Sequence, residues 1–393
     1  MRALIVLWVL LSGINAAAQI KSAQKASVSY IGSSSNGSSD AVIVDNVPLV
    51  HTKQFLPVDK NGTIKGNLRS QLDQVFENIS ESLNKSGSDS DQIIKVNVFL
   101  TGVNLISDVQ AMISQKFEES RKPAVMYAIG ELTHPDALIS VDVIAISKSN
   151  VDHVKYASIR RETSAAILPA GPVVYVSGQA AKGELSEATK ATLLQLKETL
   201  SSLGLSLKDI VQIKSFLTPM SSLHIVKKQF NDFFEGETVP PLVFVDWISA
   251  DPVIEIELIA SSREEIVKNL QVEYLTPPGM ISSPVYSKVS KLNYGKKVYL
   301  SGLSGFNSMT PDAEVNSLFV RMGNILKASN SGFNNLLKAT YYVSNDQISR
   351  SLGDLRPKFY DPKRPPAASK AMLKGIGLNG AGISIDMIGT IKE

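Results

Sequence analysis

Three short stretches of the chain alternate apolar and polar residues up to an acid and then become apolar. They cover residues 138–147, 253–261 and 382–390, and their acids are Asp142, Glu257 and Asp386. Alternation with many β-branched residues predicts a strand that is first half buried and then fully buried. The acids lie 115 and 129 residues apart (142 to 257 and 257 to 386), which is typical of domains and too long for solenoid repeats. The pattern therefore predicts three related domains in tandem.

The same order of elements precedes each of these closing strands. Apolar residues recur at three- and four-residue steps within 68–83, 187–203 and 315–326. This spacing predicts amphipathic helices, and a glycine follows each of them. Together with the β-branched runs between the helices, it gives each repeat the order β-β-α-β-α-β-β, an α+β unit. The repeats are placed at 40–150, 151–268 and 269–393.

A sheet that carries helices on one face leaves its other face bare. Three such sheets are expected to bury their bare faces against one another around a central barrel, as a single-chain pseudo-trimer. Such an assembly has three clefts between domains, where small molecules usually bind. Within the first repeat, residues 41–44 and 48–50 are expected to be two strands around a turn.

The first 18 residues have the order of a secretory signal peptide. A positive start at Met1 and Arg2 precedes an apolar run over 3–11, and small residues follow before Gln19. The apolar run is too short to span a bilayer, although an N-terminal membrane anchor is the alternative. Residues 19–39 are Ser-rich and are expected to form a flexible lead-in. We therefore expect a secreted or periplasmic protein that has no membrane contact after signal cleavage.

Composition narrows the possible chemistry. The chain has 40 basic and 37 acidic residues in 393, so its charge does not indicate a nucleic-acid partner. It has no cysteine, which excludes disulfides, Cys-zinc sites and a thiol nucleophile. Its four histidines lack metal-ligand spacing, so no metal is expected. The letters Gly-x-Gly-x-x-Gly at 375–380 run into a strand rather than a helix, so no dinucleotide cofactor is expected either.

Related stretches occur in the same order in the three repeats. The copies that carry the resemblance best are Val-Tyr-Val-Ser-Gly-Gln at 174–179, Lys-Val-Asn-Val-Phe-Leu-Thr at 95–101, Lys-Pro-Ala at 122–124 and Arg-Pro-Pro-Ala-Ala-Ser at 364–369. With the closing strands, they make the chain after residue 39 resemble the reactive-intermediate deaminase family (Rid or YjgF-like, also labelled endoribonuclease L-PSP). The resemblance implies the chorismate-mutase-like fold, and homotrimers with an active cleft at each subunit interface. This chain resembles such a trimer fused into one polypeptide, and we expect it to be a monomer.

The resemblance also implies an imine deaminase chemistry, from which this sequence departs. In the family, an arginine in a Pro-Ala-Arg stretch binds the carboxylate of a 2-imino acid, and a glutamate on the closing strand manages the hydrolytic water. The arginine position falls on Val125, on Leu242 or a neighbour, and on Ala368, and the glutamate position falls on Ser140, Glu255 and Ser384. An apolar side chain cannot replace a bidentate guanidinium. Standard deaminase activity is therefore not expected.

Nine residues are the candidates for a site. Glu255 is the candidate catalytic residue, with a plain strand position as the alternative. The candidate ligand-binding residues are Ser177, Gly178, Gln179, Tyr286, Ser301, Gly302, Arg364 and Lys370. Arg364 and Lys370 flank the missing arginine and are either a relocated cation or a solvated basic turn. Two functions remain open: a binding protein for imino acids, keto acids or related small molecules, and a diverged imine or enamine hydrolase that releases ammonia.

Overall fold

The computed structural model describes residues 28–32, 37–263, 270–306, 310–377 and 380–393. The expected signal peptide and most of the expected lead-in lie outside these residues. No helix in the described part of the chain is long and apolar enough to cross a bilayer.

The predicted order of strands and helices is present, and one further strand precedes each copy of it, at Val28–Ile31, Lys155–Ile159 and Val272–Leu275. The first of these lies in the stretch that was expected to be a flexible lead-in. In chain order the strands are β1 (Val28–Ile31), β2 (Ala41–Val44), β3 (Leu49–Thr52), β4 (Ile93–Leu100), β5 (Ala124–Ile129), β6 (Ile139–Ile146), β7 (Lys155–Ile159), β8 (Glu162–Leu168), β9 (Val173–Gln179), β10 (Ile210–Leu217), β11 (Leu242–Asp246), β12 (Ile254–Ser261), β13 (Val272–Leu275), β14 (Val289–Leu292), β15 (Lys297–Leu300), β16 (Leu303–Ser304), β17 (Leu336–Val343), β18 (Ala367–Met372) and β19 (Ile383–Thr390). The helices are α1 (Leu68–Lys85), α2 (Ile106–Lys116), α3 (Leu185–Ser202), α4 (Leu223–Phe233), α5 (Pro311–Ala328) and α6 (Asp346–Leu355). The α+β class and the three tandem units are confirmed.

Three sheets with one common strand order form the molecule. The first is β5-β4-β6-β3-β8-β7, the second β11-β10-β12-β9-β14-β13, and the third β18-β17-β19-β15-β2-β1, with β16 beside β19. The three predicted closing strands, β6, β12 and β19, take the same central place in their sheets. Alternate side chains of these strands point to opposite faces of the sheet. One face packs against the helices and the other packs against the neighbouring sheets.

In the first and second repeats, the two strands that directly precede the first helix belong to different sheets. β2 pairs with β15 of the third sheet, whereas β3, only a few residues later, pairs with β8 of the first. The chain crosses between sheets in the same way after β8 and after β14. The expected strands at 41–44 and 48–50 therefore exist, but they do not pair with each other. Two sheets come from continuous stretches, and the third joins both ends of the chain.

Apolar side chains fill one core beneath each helix pair and a further core between the sheets. The shared core includes Ile94 of the first sheet, Tyr175 of the second and Leu337 of the third, all essentially inaccessible to solvent. Each sheet contacts both of the others. This arrangement agrees with the expected burial of the bare faces, while a closed central barrel stays a prediction.

Helix ends follow their local sequence. α1 begins after Asn67, whose side chain accepts a hydrogen bond from the Ser70 N–H, and Gly87 follows its end with φ of 67°. This left-handed position is where a glycine was expected. The sequence favours a second helix of the third repeat near 348–359, whereas α6 ends at Leu355. Pro357 has no N–H to donate, so the helical hydrogen-bond ladder is interrupted there and a short 3-10 turn follows.

Candidate functional site

The acids of the three closing strands meet lysines at the centre of the molecule. Lys95 Nζ lies 2.6 Å from Asp386 Oδ1, so the first repeat pairs with the third. The Lys338 ammonium donates to Glu257 Oε1, which links the third repeat to the second. Lys214 lies 3.7 Å from the same Glu257 oxygen. All five side chains are at least nine-tenths buried by residue. Two of the three repeated acids, Glu257 and Asp386, are therefore structural ion-pair partners of lysines from other repeats.

The central lysines decide how these acids ionise. Burial alone would raise the pKa of the Glu257 carboxyl, but Lys338 and Lys214 together outweigh burial, so this pKa is lowered. For Asp142, the neighbouring lysines do not outweigh the effect of burial on the pKa. Burial raises its pKa to about 6, although Lys214 and a 2.8 Å hydrogen bond from Asn97 act in the opposite direction. The charges of the cluster thus depend on contacts between repeats.

The strand registers show which residues of the three repeats occupy equivalent positions beside the clefts. Val125, Leu242 and Ala368 occupy the same point of their sheets, opposite Val96, Ile213 and Ala339. Ser140, Glu255 and Ser384 are likewise equivalent, opposite Phe99, Phe216 and Tyr342. Each interface, however, joins one repeat's closing strand to the next repeat's outer strand. The resulting pairs of positions are Ser140 with Leu242, Glu255 with Ala368, and Ser384 with Val125.

The cleft between the second and third repeats brings most of the sequence candidates together. The Gly178 N–H donates to Ser369 Oγ over 3.1 Å, and Glu255 lies against the Gly178 Cα. A Cβ at position 178 would be 2.0 Å from Glu255 Oε1, so this close approach requires glycine. The Ser177 N–H donates to the Lys288 carbonyl, which places Tyr286 beside the same cleft.

Glu255 has an unusual environment for a carboxylate. Part of its side chain is accessible, but Oε1 is out of contact with solvent and has no hydrogen-bond partner among the described residues. Burial raises the pKa of Glu255 to about 8, with smaller opposing effects from Ser369 and Lys370. At neutral pH this group is therefore mostly a protonated acid.

The other candidates have different partners. Lys370 Nζ donates to Ser349 Oγ over 2.8 Å, and burial lowers the pKa of Lys370. Arg364 stacks on the ring of Tyr274, 5.7 Å from its centroid. The Gln179 amide donates to Thr199 of its own repeat. The Tyr286 hydroxyl accepts from Lys288.

The cleft between the third and first repeats is closed by backbone contacts. The Gly302 N–H donates to the Val125 carbonyl, and the Val125 N–H donates to Ser301 Oγ, both over 2.9 Å. The backbone groups at Gly178 and Gly302, which sequence reasoning assigned to a ligand, thus bind the neighbouring repeat. Neither Ser301 nor Gly302 lies in the cleft of Glu255.

An open cleft of about 890 Å³ lies between the first and second repeats. Gln54 bridges its inner end: its N–H donates to the Leu242 carbonyl, its amide donates to Ser140, and its side-chain oxygen accepts from the Phe244 N–H. Phe55 and Phe244 form an apolar floor. The rim is cationic and contains Lys53, Lys60, Arg160, Arg161 and Lys227. We call this site the cationic cleft.

Sequence reasoning missed the rim of the cationic cleft. Its cations come from three distant segments, the loop after β3, the turn between β7 and β8, and helix α4. One local signal was present: a two-residue turn usually carries Asn-Gly, whereas here it is Arg160-Arg161 with φ of 50° and 67°. Among the described residues, no group of histidines and acids is arranged to hold a metal ion.

Comparisons with known proteins identify relatives of single repeats. The family model described as Endoribonuclease L-PSP matches residues 34–147 and 159–262, which is more than half of the chain. A putative regulator AldR of Lactococcus lactis subsp. lactis is 38% identical over 104 residues, 26% of this chain and 81% of that protein. A RutC family protein of Pyrococcus horikoshii is 34% identical over 92 residues, 23% of this chain and 72% of that protein. The crystal structure of yeast Mmf1 is 24% identical with a TM-score of 0.24, and it aligns over 31% of this chain and 94% of its own.

Proposed function

Since this chain belongs to the Rid family described by the Endoribonuclease L-PSP model, with tandem copies of the domain, we propose that it binds small molecules between its repeats without standard imine deaminase activity. We further propose that it is exported and monomeric. The order of charge, apolar run and small residues in 1–18 supports export. The presence of all three sheets in one chain supports the monomer.

The composition of the three clefts is the observation that carries this proposal. Each cleft places an apolar residue, Leu242, Ala368 or Val125, where the resemblance implies a guanidinium. A charged hydrogen bond contributes about 1.5–3 kcal/mol, and a bidentate one more, so its loss weakens both binding and orientation of an imino acid. Hydrogen bonds between repeats cross all three clefts, and the cleft between the first and second repeats keeps an open volume of about 890 Å³ beside its own. The cationic cleft is therefore the binding site that the geometry favours.

The second candidate function is a diverged imine or enamine hydrolase. The observation in its favour is Glu255, a protonated acid at neutral pH beside the Lys370 cation. Such an acid can give its proton to an imine nitrogen, and a nearby ammonium can attract the substrate carboxylate. Arg364 stacks on Tyr274 and Lys370 Nζ donates to Ser349, so the cations of this cleft already have partners and this function is less well supported.

Keto-acid release from 2-iminopropanoate and 2-iminobutanoate distinguishes the two functions. We expect the full chain to release keto acid no faster than spontaneous hydrolysis does, because no cleft pairs an arginine with the glutamate. Glu255→Ala and Lys370→Ala are the matched variants, and circular dichroism checks that each is folded. Acceleration by the full chain that disappears in Glu255→Ala would reject the binding function and establish the hydrolase.

A further inference from the structure

The floor of the cationic cleft suits an apolar, flat group. Phe55 and Phe244 are almost fully buried and Leu242 is partly buried beside them. Aromatic and aliphatic walls with a few polar groups are typical of small-molecule sites, and about 890 Å³ lies within the usual range of such sites. A three- or four-carbon imino acid would fill only a small part of this volume. The floor therefore indicates a larger ligand.

The rim carries an excess of positive charge. Lys53, Lys60, Arg160, Arg161 and Lys227 face the cleft with Glu162 as the single acid among its lining residues. Lys53 Nζ lies 2.6 Å from Glu162 Oε2, and this contact lowers the pKa of Glu162, with Lys227 adding a smaller effect. The charge of the whole chain is nearly balanced, with 40 basic and 37 acidic residues, so the excess of positive charge at the cleft is a local feature. Cations concentrated over a low-dielectric floor attract anions.

The turn between β7 and β8 holds its arginines in an unfavourable backbone conformation. Arg160 and Arg161 have φ of 50° and 67°, a left-handed region that costs an L-residue about 1–2 kcal/mol. The Arg160 guanidinium donates to the carbonyls of Val58 and Asp59, which fixes it in the cleft wall. Arg161 is exposed and lines the cleft, and its side chain has no partner among the described residues. Strain of this kind is concentrated at functional sites.

We propose that the cationic cleft binds an organic phosphate whose flat apolar body lies on Phe55 and Phe244 and whose phosphate meets Arg161 and Lys227 at the rim. This inference rests on the proposed function, since it names the ligand class for the same cleft. A doubly charged phosphate matches the several cations better than a single carboxylate does, and arginine binds phosphate oxygens in a forked geometry. The apolar Leu242 at the floor keeps charge away from the inner end.

Isothermal titration of the full chain with 2-naphthyl phosphate tests this inference. We expect saturable binding of one molecule per chain. Arg161→Asn with Lys227→Ala removes two rim cations and is expected to weaken binding about 10- to 100-fold, since charged hydrogen bonds are lost. Asparagine tolerates the left-handed backbone of position 161, so the turn is retained. The control, Lys190→Ala with Lys197→Ala, removes the same charge from exposed positions of α3 and is expected to bind like the unaltered chain.

Two further probes separate the charge from the apolar body. 2-Naphthol lacks the phosphate and inorganic phosphate lacks the ring, and each is expected to bind at least about 10-fold more weakly. No saturable binding of 2-naphthyl phosphate, or equal binding by the rim variant, overturns the inference. If 2-naphthol binds as tightly as its phosphate, the ligand class is wrong while small-molecule binding in the cleft stands. If neither binds and keto acid is released from imines, the proposed function itself has failed.

Discussion

Replacing Lys338 by methionine is expected to lower the free energy of unfolding by about 3–5 kcal/mol, because it leaves a buried carboxylate without its closest cation. Glu257 is 1% exposed and accepts a hydrogen bond from the Lys338 ammonium across the interface between repeats. Lys214 remains 3.7 Å from Glu257 but is shared with Asp142 and Asp386. Urea unfolding at pH 7 measures the loss.

The pH dependence of this loss separates charge from packing. In the unaltered chain the pKa of Glu257 is lowered, so its ionised form contributes stability above the ordinary carboxyl range and that contribution is lost as pH falls. In Lys338→Met, burial is opposed by fewer cations and the pKa of Glu257 rises. The difference between the two proteins should therefore shrink between pH 7 and pH 4. A difference that does not change with pH, or no recovery on adding Glu257→Gln, would assign the effect to lost packing.

Removal of the N-terminal strands is expected to abolish cooperative folding. A chain that begins at Val47 lacks β1 and β2, so β15 loses one of its two partner strands and becomes an edge strand. Ala41, Val42 and Val44 are fully buried, and each valine contributes about 1.5–3 kcal/mol through its burial. With the lost strand pairing, the deficit is comparable with the whole stability of a typical domain. Thermal unfolding followed by circular dichroism, together with the soluble yield, measures the effect.

A circularly permuted chain is the matched control for this deletion. Val28, Val44, Lys297 and Thr390 lie in one row across the third sheet. Three strand spacings therefore separate Val28 from Thr390, about 14 Å. A chain that starts at Val47 and carries residues 28–46 after Glu393 through a short Gly/Ser linker should fold like the unaltered protein. A folded deletion, or a permuted chain as unstable as the deletion, would contradict the placement of β1 and β2 in the third sheet.

The elements of the fold were predictable from the sequence because local patterns determine them. The closing strands follow from alternation, and helices α1, α3 and α5 follow from three- and four-residue spacing. The end of α6 was missed because the apolar spacing continues past Pro357, whereas the helical hydrogen bonds stop at this residue, which has no N–H. The exchange of strands between sheets was also missed. A strand has the same alternation whether it pairs across its own turn or with a strand 250 residues away.

The candidate site was predictable in part for the same reason. Motif order identified the equivalent positions Val125, Leu242 and Ala368, since each is fixed by its own repeat. Which of them faces Glu255 depends on packing between repeats, and the structure pairs it with Ala368 rather than with Leu242. The lysines of the central cluster lie on strands that look uniformly buried, so their partners on other repeats leave no local signal. The rim of the cationic cleft combines three segments that are far apart in the sequence: Arg160 is 100 residues after Lys60, and Lys227 is 66 residues after Arg161.

The mass of the chain in solution tests most directly whether one polypeptide closes all three sheets. Multi-angle light scattering at micromolar concentration, on the chain that starts at Gln19, should give a single species slightly below the 42.5 kDa of the full sequence. In that species β1 and β2 complete the third sheet of their own chain. A stable species of two or three times this mass would contradict the account, because the N-terminal strands would then be able to complete the sheet of another chain.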